Sequence, residues 1–371
     1  MSRIELDKSL LKKRFGDIVD LKLTCEIITP MFLGDAFQNA SLRPEPFKAL
    51  LRYWWRVAAG DQFTTPRDLL EEEGKLFGSG SDNAHKSLIK VAVEGNVFPE
   101  NGPLPKMGLV YHPEVGRKIH PLLYLGYGPI IWDRSTRRAV YQRPYLPPGK
   151  TFVLKIMGPK DLFEHNTHFK KALLYIRAFG TVGSRCRNGW GSFQIVQKEY
   201  SGNLSMIAIS KLALPSYGVK TFQKDYPYSL ALSPQNQLLL WRTDETSSWT
   251  DVMLQLAEIY IKIRHKLPAN GPNDVDERHL LGFPLTNHYA HSAPNWGRVA
   301  RHASPIRFIV RKKQKNYYGF VLHVPFGISK KMRKNAQRQM FFTESKQKQI
   351  WDKVHEILDQ YMKRARLDEC L

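Results

Sequence analysis

The sequence predicts an α+β protein of two ferredoxin-like domains that pack together and carry insertions. Its 371 residues are enough for two domains at roughly 100 to 200 residues each. Strand and helix patterns in the first half follow the order βαββαβ of a ferredoxin-like unit, and a weaker version of that order occurs in the second half. We place the domains at residues 1–205 and 206–371.

The first domain opens with a strand and a helix. Residues 18–29 alternate apolar and polar side chains, which is typical of a half-buried strand, and the pattern stops at Pro30. A helix is predicted next, because prolines stand at its amino end and Gly60 follows its last turn. The apolar residues that fall at steps of three and four are Phe47, Leu50, Leu51, Trp54 and Ala58.

The remaining elements of this domain complete the βαββαβ order. Strands are predicted at residues 87–93, 119–125 and 151–157, separated by Pro- and Gly-rich connections. A second helix covers residues 167–179 and ends at Gly180, after which a glycine-rich loop enters the last strand. The insertions lie between the two middle strands.

The second domain repeats the order less distinctly. We predict a strand at residues 237–241, a helix at 248–266 and a terminal helix at 345–363. Residues 305–325 are predicted to form a hairpin that turns near 313–316. No sequence repeat relates the two halves.

The charge of the chain is its most unusual property. Lys and Arg number 56 against 34 Asp and Glu, which gives a formal net charge of +22 and favours an anionic partner. Residues 298–338 contain twelve Lys or Arg and no acid, and residues 165–198 contain six and no acid. One such run is typical of a solvated face. Two runs that also carry aromatic and glycine residues favour nucleic acid.

Several other classes are excluded or disfavoured. No stretch approaches the roughly 18 apolar residues of a membrane span, and the amino terminus has no apolar signal core, so we expect a cytoplasmic protein without a membrane partner. Cys25, Cys186 and Cys370 are far apart and form no C-x-x-C pair. We therefore expect no metal site and no cofactor.

The first predicted helix carries a cationic flank. Lys48, Arg52 and Arg56 follow each other at steps of four, and Trp55 lies within a turn of Lys48 on the same side. Lys and Arg could neutralise phosphates there while the indole stacks on a base. The alternative is that Trp54 and Trp55 both belong to the core and the cations only face solvent; for Trp54 we adopt that interpretation.

The loop at residues 180–191 predicts an anion site. Its four glycines permit positive φ and close backbone approach to an anion. Two arginines, an asparagine and a tryptophan project between them, and the pattern is neither a Walker loop nor a Rossmann fingerprint. The residues are Gly180, Gly183, Arg185, Arg187, Asn188, Gly189, Trp190 and Gly191.

Six motifs that include these segments occur in order along most of the chain. They are TPMFLGDA (29–36), LRPEPFKALLRYWWR (42–56), KLFGS (75–79), FGTVGSRCRNGWGSF (179–193), LGFPL (281–285) and ASPIRF (303–308). The set resembles the motifs of the RAMP superfamily, and within it those of the first subunit of the Cmr complex, the type III-B CRISPR effector.

The resemblance implies two ferredoxin-like domains related to RNA-recognition folds and a non-catalytic, RNA-binding role in antiviral defence. It implies single-stranded RNA as a partner, guide or target, contacted near the 3′ part of the guide, together with other Cmr RAMP subunits. The residues carried over are Arg43, Lys48, Arg52 and Arg56 from the helix motif, Gly183, Arg185, Arg187 and Gly189 from the loop motif, and Arg298 and Arg301 before ASPIRF. Asn188 is added as a loop contact, and Trp55 and Trp190 as stacking residues.

Two other functions stay open. A metal-independent RAMP endoribonuclease would need an acid and a base, and the candidate histidines are His165, His168, His288 and His291. None has an evident acid or Lys partner, and the adjacent acids at residues 71–73 are predicted to form a solvated turn rather than a two-metal site. The other alternative is a scaffold whose basic surface binds an acidic protein.

Overall fold

The computed structural model describes residues 17–80, 84–200, 207, 209, 212–268, 275–284, 301–335 and 342–371. Its main elements form two four-stranded antiparallel sheets with helices packed against them. The predicted α+β class is therefore confirmed.

The first sheet has the strand order β2–β7–β1–β8, and every neighbouring pair is antiparallel. Its helices α1 and α5 pack against each other. In chain order this half contains β1 (Ile18–Ile27), α1 (Pro44–Ala59), α2 (Pro66–Phe77), β2 (Lys90–Glu94), β3 (Val110–His112), β4 (Arg117–Ile119), α3 (Pro121–Gly126), β5 (Ile130–Asp133), β6 (Arg138–Tyr141), β7 (Thr151–Pro159), α4 (Lys160–Glu164), α5 (Thr167–Phe179) and β8 (Phe193–Tyr200).

The second sheet has the order β10–β11–β9–β12, again antiparallel throughout. In chain order this half contains β9 (Leu240–Arg242), α6 (Trp249–Lys266), β10 (Ile306–Lys313), β11 (Asn316–His323), α7 (Lys330–Asn335), α8 (Glu344–Tyr361) and β12 (Lys363–Arg364). Without the short α7 this is a βαββαβ sequence. Both sheets thus place the second, third, first and fourth strands of that order side by side.

The local signals explain most of these elements. β1 alternates buried and partly exposed residues along its length. In α1 two prolines occupy the first turn and Gly60 follows the last residue, and α6 begins where the Ser248 side chain accepts a hydrogen bond from the Asp251 N–H. α5 ends at Gly180, as the sequence predicts.

One predicted strand is wrong. Residues 119–125 are not a strand: β4 stops at Ile119, and α3 begins at Pro121. Pro121 lacks an N–H and suits the first turn of a helix, and Leu122 and Leu125 are buried at helical spacing. The apolar run was too short for its period to separate strand from helix. The helix α2 and the short strands β3, β5, β6 and β12 were also not predicted.

The two halves share a core, because the second sheet is covered on both faces. Leu240, Ile309 and Leu322 pack in one hydrophobic cluster with residues of α1 and α5. Their alternating neighbours Trp241 and Val310 belong to a second cluster, with residues of α6 and α8. Alternation along the strands sends successive side chains to opposite faces, so the second sheet is sandwiched between its own helices and those of the first half.

Arg311 shows how tightly the halves join. Its side chain is buried, and its guanidinium donates to the carbonyls of Ala178 and Gly180 at the carboxyl end of α5. These carbonyls are unpaired within the helix and carry the negative end of its dipole. Burial lowers the pKa of Arg311 to about 10, so the group remains a cation. Part of the basic run at residues 298–338 is therefore structural.

No helix among the residues described above is long and apolar enough to cross a membrane.

Candidate nucleic-acid interface

The cationic flank of α1 is held by a buried carboxylate. The Glu73 side chain on α2 is fully buried, and the Arg52 guanidinium donates to it in a short ion pair. Arg56 donates to both Glu73 oxygens, at 3.1 and 3.0 Å. The arginine side chains keep 33% and 37% of their surface exposed. One carboxylate thus orients two guanidiniums and leaves a net charge of about +1 facing solvent.

This geometry corrects the interpretation of residues 71–73 as a solvated turn. The three glutamates lie on α2, capped by the Thr65 side chain. Because successive helical residues point about 100° apart, Glu73 faces α1 while Glu71 and Glu72 form surface ion pairs with Arg67 and Lys75. The sequence signal that could have predicted this arrangement is the position of the three glutamates on one helix.

Lys48 and Arg43 stand beside this pair. Lys48 Nζ donates to Ser87 Oγ at 2.9 Å, and burial together with the nearby Arg52 lowers the pKa of the Lys48 amine. Arg43 precedes α1 and is partly exposed. Both remain available at the surface.

The prediction that Trp55 stacks on a base is wrong. The residue is buried and packs against the rings of Phe63 and Phe77, with centroids 6.5 and 6.1 Å away. Trp54 is buried against Tyr175 and Phe179, as predicted. Helical spacing could not show that both tryptophans are buried, because the side of α1 that carries Trp55 is covered by α2.

The glycine-rich loop is built to close on itself rather than to cradle an anion with its backbone. The N–H groups of Val182, Ser184 and Gly191 donate to the carbonyls of Gly191, Phe32 and Pro30, respectively. Gly191 has a φ of +61°, and a Cβ there would lie 1.8 Å from the Val182 oxygen. The glycines are therefore explained by sterics.

Four predicted loop residues pack against or bond to the rest of the protein. Trp190 is fully buried, 5.2 Å from the Phe32 ring and 6.3 Å from Trp249 of α6, so its ring cannot stack on a base. The Asn188 amide donates to the Leu125 carbonyl at 2.9 Å. A Cβ on Gly189 would lie 2.9 Å from Met253 Sδ. Gly183, similarly, sits where a Cβ would lie 2.7 Å from the Phe32 oxygen.

The loop is also the joint between the halves. The Phe308 N–H on β10 donates to the Arg187 carbonyl at 2.8 Å, and the Val310 N–H donates to Ser192 Oγ at 3.0 Å. Ser192 Oγ in turn donates to the Gly189 carbonyl, which also accepts from Thr29 Oγ1. The backbone of the loop is fixed by these bonds, which leaves its arginine side chains as the functional candidates.

Arg187 meets a second arginine that the sequence analysis did not single out. The Cζ atoms of Arg187 and Arg307 lie 5.9 and 4.8 Å from the ring centroid of Tyr53 on α1. Arg307 Nη2 donates to Thr181 Oγ1 at 2.9 Å. The Nε atoms of both arginines are buried and have no hydrogen-bond partner among the described residues. We call Arg187 and Arg307, which meet on the Tyr53 ring, the interdomain arginine pair.

The electrostatics of this pair are unusual. No ion pair joins Arg187 or Arg307 to a carboxylate in the described part of the chain, and burial is the main cause that lowers the pKa of Arg187, with Arg307 contributing. Residues 285–301, which precede β10, contain no Asp or Glu. Two guanidiniums held together without an acid repel each other and attract an anion.

Arg185 is the exposed arginine of the loop. It has a φ of +58°, and its Nε donates to the Tyr127 carbonyl at 2.6 Å. Although the residue as a whole is exposed, desolvation of its guanidinium end lowers the pKa of Arg185, and the nearby Arg143, which was not predicted as a site residue, lowers it further. Arg143 reaches Ser184 Oγ at 3.4 Å. Arg143, from a distant segment of the chain, thus adds a second cation beside Arg185.

The other predicted site residues, Arg298, Arg301 and the candidate histidines, are not part of the loop or of the α1 flank. Arg301 is exposed just before β10, whereas Arg298, His288 and His291 lie outside the described residues. His165 is exposed. The His168 ring contacts the Ala58 carbonyl at 3.0 Å, and burial lowers its pKa. Across the described ranges, no group of three or more His, Cys, Asp or Glu side chains could hold a metal ion.

Comparisons with known proteins give one family and several structures. Residues 24–194 match the family model described as the RAMP superfamily. No curated protein matches the sequence. Cmr1 from Pyrococcus furiosus, in its apo crystal structure, is 18% identical, with a TM-score of 0.43 over 81% of this chain and 86% of that one.

A chain of the type III-B Cmr-beta complex bound to cognate target RNA is 12% identical, with a TM-score of 0.45 over 91% of this chain and all of the other. A chain of a type IV-B CRISPR complex is 13% identical, with a TM-score of 0.33 over 53% and 96%. With TM-scores this low, these structures are reported as similar to the chain, and no argument about its function is based on them.

Proposed function

The family match confirms the resemblance to the RAMP superfamily over residues 24–194, and on this premise we propose that the protein is a non-catalytic, RNA-binding subunit of a type III-B CRISPR (Cmr) effector complex. It would act in the cytoplasm beside other RAMP subunits and bind single-stranded guide or target RNA near the 3′ part of the guide. We also infer that each half is a ferredoxin-like domain, with the boundary between residues 198 and 215.

The observation that carries the proposal is the interdomain arginine pair. Arg187 comes from the first half and Arg307 from the second, and they meet on the Tyr53 ring without a carboxylate in the described residues. Arg307 is buried and Arg187 is partly exposed, so an RNA phosphate would accept hydrogen bonds from Arg187 and supply the negative charge that the pair lacks. The contact positions the backbone and does not read sequence.

Arg185 and Arg143 extend this surface. Arg185 is an exposed residue of the loop, and Arg143 reaches the loop at Ser184 Oγ. Arg52 and Arg56 provide further cations on α1. A strand of RNA that follows such cations loses counterions on binding, so its affinity falls with salt.

RNA binding is tested by fluorescence anisotropy of a labelled 20-nucleotide RNA across a salt series. Arg187→Ala and Arg185→Ala are each expected to weaken binding about tenfold, because a hydrogen bond to a charged group contributes about 1.5–3 kcal/mol. Each should also reduce the salt slope by about 0.7. The control is Arg366→Ala, which removes an equally charged but exposed arginine that pairs with Asp368.

Two results would contradict the proposal. If the wild-type protein does not retain RNA at low salt, the RNA-binding function is wrong. If Arg187→Ala and Arg366→Ala have equal effects, the interdomain arginine pair is not the site. Discrete products from labelled RNA incubated with the protein and EDTA would instead favour the endoribonuclease alternative.

A further inference from the structure

The insertion between β2 and β7 builds a groove that the RNA-binding proposal does not use. It has a volume of about 1130 Å³ and lies among the β3–β4 hairpin, the β5–β6 hairpin and residues 103–109. Its floor is apolar and includes Met107, Leu109, Leu123 and Trp132. Leu109 and Trp132 are each 51% exposed.

The rim of this groove is cationic. Its charged members are Lys106, Arg117, Lys118, Arg137 and Arg138, and the described lining residues include no carboxylate. No ion pair is formed by any of these five within the described ranges.

Residues 103–140, which span the lining of the groove, contain two acids, and both have partners. Glu114 binds Arg278 of the second half. Asp133 accepts hydrogen bonds from Ser135 and Thr136 within its own turn, which lower its pKa to about 2. Both therefore remain charged. The charge of Glu114 is matched by Arg278, whereas Asp133 lies opposite Arg138 across the β5–β6 hairpin. The five rim cations less this one acid keep a net charge of about +4.

We propose that this groove docks an acidic, apolar-containing segment of a protein partner. Aliphatic and indole side chains of such a segment would cover the floor, and its carboxylates would face the rim. Contiguous exposed apolar surface rimmed by charge is typical of protein–protein sites, and complementary charge would give orientation and specificity.

The composition of the floor favours protein over RNA. RNA-binding surfaces combine cations with stacking aromatics, whereas Met107, Leu109 and Leu123 offer aliphatic surface that phosphates and riboses cannot cover favourably. Among the lining residues that the structure describes, Trp132 is the single large aromatic one. The inference does not depend on RNA binding, which rests on other residues.

The experiment is a selection of random 16-residue displayed peptides against the full-length protein, with excess 12-nucleotide RNA present to occupy nucleic-acid sites. Enriched peptides are synthesised, and their binding is measured by fluorescence anisotropy. We expect them to combine Asp or Glu with Leu, Ile, Phe or Trp. Arg138→Glu and Leu109→Ser should each weaken binding about tenfold or more, since both lie at the exposed groove.

Arg134→Glu is the matched control, because Arg134 is exposed on the same hairpin but does not line the groove. Enriched peptides without an acidic surplus, or equal binding to Arg138→Glu and Arg134→Glu, would overturn the proposal. So would the failure of any peptide to enrich. If Arg138→Glu loses RNA affinity instead, the groove holds RNA. Failure of the wild type to bind RNA would reject the proposed function and leave the peptide result standing.

Discussion

Replacing Glu73 with Gln tests whether the flank of α1 faces RNA. In the wild type this carboxylate holds Arg52 and Arg56 and competes with any phosphate for them. The amide of Gln keeps the shape of the side chain but removes its charge. Glu73→Gln should therefore strengthen RNA binding while it weakens the folded protein.

The cost in stability follows from the burial of the three groups. Removing one partner of a buried ion pair costs about 3–5 kcal/mol when the remaining charge stays buried. Here the acid is fully buried but a third of each arginine is exposed, so water solvates the released guanidiniums. The expected loss is about 1–3 kcal/mol, or about 2–4 °C in Tm for each kcal/mol.

The assay pairs chemical denaturation with RNA anisotropy across a salt series. Each phosphate newly neutralised by Arg52 or Arg56 should steepen the salt slope by about 0.7. Glu72→Gln is the control: it changes the net charge equally, but Glu72 is a surface residue that pairs with Lys75. If the two variants gain the same RNA affinity, the effect is only net charge, and the flank does not contact RNA.

Three further predictions concern the folded state. Trp54→Ala should lower the free energy of unfolding by about 3–5 kcal/mol, measured by urea denaturation, because the indole is fully buried; a loss below 1 kcal/mol would contradict its place in the core. Gly191→Ala should prevent stable folding, seen as lost cooperative melting, since its Cβ would overlap a carbonyl; a normal melt would refute the loop geometry. Burial lowers the pKa of His302 to about 4 and of His355 to about 3, so the stability they contribute is complete above pH 6.5 and is lost as pH falls toward 4. Between pH 7 and 5 each should cost about 2 kcal/mol, and an unchanged urea midpoint would show that they are protonated in the folded protein.

Local patterns were sufficient for much of the fold. The alternation in β1, the caps of α1 and α5 and the hairpin of β10 and β11 all depend on neighbours in sequence. The error at α3 arose because a short apolar run suits strand and helix alike. β12 has two residues, which is too short for a periodic pattern. It is a strand only because it pairs with the edge of β9.

The sequence by itself determined the α+β class, the order of the main elements, the surplus of cations and the family resemblance, because composition and local periodicity decide these. Only the tertiary structure decided which cations are free. It buried Trp55, Trp190 and Arg311, paired Arg52 and Arg56 with one acid, and brought Arg187 and Arg307 together. Exposure and pairing depend on contacts between residues far apart in the chain, and these are invisible to any pattern of near neighbours.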